Sequence, residues 1–272
     1  MDNQDDFDID LSVKALEREG RILGKKEEAL VLNLSNPSWT QYARVGMAAL
    51  SAVDWVGSLI GVATTLSADA DQSKTTKLMY LWVKEHELKL SALSETINQI
   101  FARFDSFGAR IKDRIDSEDY LSLVRKTFQV WDHAETAEKR EMLRRLITNA
   151  GGITINQDDW VRMYIDWIDK YHEFHFHVIR EINNNPNISR RQIWLNLRGT
   201  LPDEGSAEAD LFKLLIRDLS TGSVIRQGRK SSGSDISAFD SSAGYILTEL
   251  GKQFVHYVMT EVSPQIEAPD KE

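Results

Sequence analysis

The sequence predicts a mainly α-helical fold: an N-terminal bundle of long helices, then a small module of helices with two or three strands. Three observations carry this. Met79, Val83, His86, Leu90, Leu93, Ile97, Ile100, Phe104, Phe107 and Ile111 alternate in steps of four and three, and all but His86 are apolar. That spacing averages 3.5 residues, the seam of a helix packed along its whole length. Trp160, Tyr164, Trp167, Tyr171, Phe174 and Val178 repeat the pattern with an aromatic ridge. Near the C-terminus, Ser223-Val224-Ile225-Arg226 and Tyr245-Ile246-Leu247 are short β-patterned runs set among helical ones.

Residues 1–10 hold five Asp and are expected to be a disordered acidic lead-in. Leu11, Leu16, Ile22, Leu23 and Leu30 space a first helix, which Asn36-Pro37-Ser38 stops. Residues 45–68 carry one charge, Asp54, in 24 positions. Two readings fit: the innermost helix of a bundle, whose small residues allow close approach, or a segment that crosses a bilayer. A turn near 69–74 leads into the long helix, continuous from Met79 to Ile111. Counted outward from that turn, Asp54 and His86 fall at equal depth, so a buried Asp54–His86 contact is expected, as a register pin or a pH-sensitive latch. The alternative is that each group finds water or a backbone partner separately.

Ser117 is the candidate cap of the next helix, with Tyr120, Val124, Phe128 and Trp131 inward. Thr136 to Ala150 follows with Met142, Leu143, Leu146, Ile147 and Ala150 inward, closed by Gly151-Gly152. Residues 156–182 then read as one long helix bridging the bundle (11–155) to a C-terminal module (183–262), with a flexible tail at 263–272.

Within that module, Asn183 to Asn187 forms a loop and Ser189 caps a short helix, Arg190 to Leu197. A longer helix, Ala207 to Leu219, places Leu211, Leu214, Leu215 and Leu219 inward. The strand at 223–226, a polar excursion from Gln227 to Ala243, the returning strand at 245–247 and a last helix from Lys252 to Met259 complete it. Helix, short helix, longer helix, strand, loop, strand resembles a winged-helix domain. Leu247-Thr248-Glu249-Leu250-Gly251 is similar to the leucine-threonine-x-x-glycine run that follows the second wing strand in many bacterial winged-helix regulators. The resemblance implies that Ala207–Leu219 would enter a major groove and that Gln227–Ala243 would be the wing. At the level of layout alone, the chain also resembles some bacterial abortive-infection and phage-defence proteins.

Charge narrows the partners. The net charge is −9, which excludes a chain that binds nucleic acid by bulk attraction. From Trp167 to Glu261 there are eleven basic and twelve acidic residues, so phosphate contact would need local clusters. Arg190 and Arg191, Lys213 and Arg217, and Arg226, Arg229 and Lys230 are the candidates for contact with nucleic acid or a protein partner. Zero cysteines exclude disulfides and thiolate metal sites. The acidic N-terminus has no secretory pattern, so the cytoplasm is expected.

His172, His175 and His177 lie close together, but His172 has Phe176 rather than His four residues on, so the helical zinc pattern fails. Gly222 to Ser231 misses the phosphate-loop spacing by one. No nucleophile elbow or dinucleotide fingerprint is present, and no catalytic residue, metal or cofactor is expected. Three classes stay open. One is a non-enzymatic regulatory or interaction protein whose winged helix contacts nucleic acid or a partner protein; separately, the heptad seams allow a homodimer, since a bundle short of helices can complete itself with a second chain. Another is a membrane-acting effector that releases residues 45–68. The third is an enzyme with no recognisable motif.

Overall fold

The computed structural model describes residues 40–56, 72–152, 158–228 and 244–260; the side chains of residues 72–87 fall outside that description. The expectations for residues 1–39, for 57–71, for the wing tip at 229–243 and for the tail lie outside the described residues. The described chain is mainly helical, with one two-stranded antiparallel sheet near its C-terminus. It divides into two compact units, Met1–Phe128 and Gln129–Glu272. By this division residues 137–152, from the stretch read as bundle, and residues 158–170, from the stretch read as bridge, belong to the second unit.

The first unit contains α1 (Ala43–Ser51), α2 (Gln72–Phe107), a tight helical turn at Ala109–Ile111 running into α3 (Lys112–Ile115), and the first part of α4 (Glu118–His133). The 36 residues of α2 span about 54 Å at 1.5 Å each. Leu93, Ile97, Ile100, Phe104 and Phe107 are buried along its seam. The helix stops at Phe107 because Gly108 adopts φ 73°, a left-handed conformation that glycine takes without a steric penalty. Ile111, expected inside the helix, is buried in the turn beyond it.

Only one face of α1 is buried. Val45, Ala48 and Ala49 are inward, with Ala52, Val53 and Val56 just beyond, whereas Met47 is 63% exposed. Tyr42, just before α1, lies 5.2 Å from the Phe101 ring and edge-on to Phe104 at 5.5 Å. Its hydroxyl donates to Asp105 Oδ1 at 2.7 Å. Burial, with the Asp105 carboxylate adding to it, holds the Tyr42 phenol well above its ordinary range. No helix among the described residues is long and apolar enough to cross a membrane.

The second unit holds the end of α4, then α5 (Ala137–Gly152), α6 (Asp158–Lys170), α7 (Glu173–Asn184), α8 (Arg190–Arg198), α9 (Ala207–Thr221), β1 (Ile225–Gln227), β2 (Tyr245–Leu247), α10 (Glu249–Phe254) and a π-helical turn, Val255–Met259. The single bridging helix expected over 156–182 is two helices. The break has a local cause. His172 is extended (φ −80°, ψ 161°), and its N–H donates to His175 Nδ1 at 3.1 Å, capping α7 instead of extending α6. The aromatic ridge survives the break: Tyr164, Trp167, Tyr171 and Val178 are buried, while Trp160 and Phe174 are half-buried.

Phe254 of α10 closes that ridge, with ring centres 5.6 Å from Tyr164 and 5.4 Å from Trp167. The π turn is tied to α5 by side chains that reach its free carbonyls. Arg145 donates to the Met259 oxygen at 2.8 Å and Asn149 to the Tyr257 oxygen at 2.8 Å. Arg145 also holds Glu141, which Arg144 grips with two hydrogen bonds of 2.7 Å. Burial raises the Glu141 carboxyl, but the two guanidinium groups outweigh it and leave the carboxyl below its ordinary range. Gly151 and Gly152 lie in the last turn of α5 rather than after it.

The strands pair Ile225 with Leu247, Arg226 with Ile246 and Gln227 with Tyr245. An isolated antiparallel bridge also joins Tyr245 to Ile188, which lies between α7 and α8 in the chain. Helix, short helix, longer helix, strand, strand is the order expected for the C-terminal module.

Candidate functional site

The surface of interest is the outer side of α9, with α8 and the base of the sheet beside it. Ser206 starts α9, its Oγ accepting from the Ala209 N–H at 3.2 Å. Ala209, Phe212, Leu215, Ile216 and Leu219 form the buried stripe. Phe212 meets Trp194 of α8 at 5.1 Å, and Trp194 in turn meets Phe174 of α7 at 5.8 Å. This corrects the sequence reading. Leu215 and Leu219 point inward, but Leu211 is 46% and Leu214 39% exposed. The stripe from Ala209 to Leu219 already fills one face at helical spacing and leaves both leucines off it.

The outward side of α9 thus presents Ala207, Asp210, Leu211, Leu214, Arg217 and Thr221 to solvent. Lys213, half-buried at the edge of this face, lies 3.4 Å from Asp210, and Glu208 adds a second exposed carboxylate. Two leucines, with two acidic side chains balancing two basic ones around them, make a poor phosphate surface.

The other basic candidates among the described residues lie on α8 and β1. Arg190 is half-buried and committed to the sheet: its Nε donates to the Tyr245 hydroxyl at 2.7 Å, and its guanidinium stands 5.4 Å from that ring. Arg191 and Arg226 are exposed. Arg226 pairs across the sheet with Ile246, on the face opposite buried Ile225 and Leu247. Arg229 and Lys230 lie outside the described residues.

The wing-strand motif has a structural role. Thr248 Oγ1 accepts from the Gly251 N–H at 2.9 Å, capping α10, and its hydroxyl donates to the Ser223 carbonyl at 2.6 Å. A Cβ on Gly251 would lie 2.1 Å from the Val224 oxygen, so the helix can rest on β1's approach only with glycine there. Leu247 is buried in the sheet.

Among the described residues, no cluster of three or more His, Cys, Asp or Glu is placed to hold a metal ion. His172 and His177 are exposed, whereas His175 is buried. The His175 ring stacks on Tyr171 at 4.9 Å. Because its Nδ1 accepts from the His172 N–H, the neutral ring carries its proton on Nε2. That Nε2 has no hydrogen-bond partner among the described residues, and Asp218 Oδ2 stands 3.9 Å away, beyond hydrogen-bond reach. Burial pushes the imidazole down to about 4, with Asp218 opposing. Tyr171 is pushed up to about 12 by burial first and Asp218 second.

Asp54 is exposed rather than buried, and the His86 side chain lies outside the described residues. Comparison with protein-family models, curated proteins and solved structures gives no match for this chain.

Proposed function

We propose that the chain is a non-enzymatic interaction protein whose winged-helix-like C-terminal module engages a protein surface through the outward face of α9. One observation carries this reading: Leu211 and Leu214 stand exposed together on the helix that a DNA-binding module would set in the major groove. Apolar side chains gain from being covered by another apolar surface, and gain nothing from phosphates. Nearby charge favours the same reading. On this helix the exposed carboxylates Glu208 and Asp210 outnumber the one fully exposed cation, Arg217, and carboxylates facing a phosphate backbone repel it. Arg190 of α8 is spent on Tyr245.

A photo-cross-linking side chain placed at Leu211 tests the reading directly. Irradiated in cells, the full chain is expected to yield adducts with protein. Adducts with nucleic acid, together with salt-dependent duplex binding lost on Arg217→Ala, would overturn it.

A further inference from the structure

We propose that the outward face of α9 docks on the same face of a second copy of this chain, the two helices antiparallel about a two-fold axis beside Leu214. This rests on the protein-contact reading above and names its partner. Residues 207, 210, 214, 217 and 221 follow alternating steps of three and four, the spacing of a straight contact stripe on a packed helix. All five are exposed, and Leu211 widens the stripe at its centre.

The charges on this stripe fit their own reversed image. Asp210 and Arg217 lie seven residues apart, about 10.5 Å along the axis, with Leu214 between them on the same side. A two-fold axis through their midpoint sets Asp210 of each copy opposite Arg217 of the other, and Leu214 against Leu214. Such an isologous contact satisfies both charges twice over. A parallel pairing would oppose Asp210 to Asp210 and Arg217 to Arg217. The present partner of Asp210, Lys213, is on the same helix, and the Asp210 side chain is well exposed, so sharing the carboxylate costs little. A single helix pair covers less than a standard interface, so the dimer is weak and concentration-dependent.

Sedimentation velocity of the full chain over a concentration series tests this. The expected result is a reversible shift from 31.0 kDa toward twice that mass, strongest at low salt. Asp210→Arg and Arg217→Asp, both at exposed positions, each weaken association by about tenfold or more, because each places like charges in both pairs. A one-to-one mixture of these two variants restores it, since one chain then offers two cations and the other two carboxylates. The double variant D210R/R217D restores it within one chain. A wild-type chain that stays monomeric throughout, or a dimer indifferent to these exchanges, would overturn the proposal. A monomer that still cross-links from position 211 to a different protein would overturn self-association and leave the protein-contact reading standing. A nucleic-acid adduct there would end both.

Discussion

Gly251 and His175 show how single residues fix the C-terminal module. At Gly251 a methyl group would meet the Val224 carbonyl oxygen at 2.1 Å, and that oxygen belongs to backbone that cannot swing aside. Gly251→Ala is therefore expected to destabilise the chain by about 1–3 kcal/mol, read as a lowered midpoint in urea unfolding. His175 gives a pH dependence. Its folded value, about 4, lies below the roughly 6.5 of an unfolded histidine, so the unfolded chain binds a proton that the folded chain refuses. Stability from this site is complete above about pH 6.5 and is lost as pH falls toward 4. His175→Asn keeps an acceptor for the His172 N–H and cannot titrate. Unfolding of that variant should be flatter over this pH range than wild type; an unchanged slope would show that His175 is not its source. The leucine-threonine-x-x-glycine run was legible as a motif. What it does, capping α10 and admitting a carbonyl, depends on a neighbour more than twenty residues earlier that spacing alone does not reveal.

Among the elements, α2 and α9 show the reach of periodicity and its limit. The seam of α2 reads directly from sequence because Leu93 to Phe107 has one apolar stripe to bury. The ridge from Trp160 to Val178 also reads as a stripe, but its period continues smoothly across the break at His172. Periodicity reports which residues face inward; the break comes from a side-chain cap, made by His175, a residue seldom read as one. On α9 there are more leucines than one face holds, and the choice between them falls to Phe212, which locks against Trp194. Phe212→Ala should cost about 3–5 kcal/mol, whereas Leu214→Ser should stay within about 0.5 kcal/mol when unfolding is measured at dilution. Equal losses at the two positions would mean that the helix is turned differently. The sequence signal for the outward leucines was available: the stripe drawn from Phe212 is complete without Leu211 and Leu214.

For the molecule, the chain divides into two compact units within α4, and the second contains, as described residues, five of the seven basic positions singled out by charge. Three of them point in directions that the sequence does not give. Arg190 turns to Tyr245, Arg226 to the outer face of the sheet and Lys213 to Asp210. Composition could set the net charge but not the direction of each side chain, and it is direction that moves the reading from nucleic acid to protein. The chain's lack of cysteine allows the most direct measurement of that reading. With Leu214→Cys as the sole thiol, mild oxidation or a short bismaleimide should join two copies rapidly at micromolar concentration, while Arg191→Cys, exposed on α8, should not. Slow joining from position 214, no faster than from position 191, would contradict a docking face centred on Leu214.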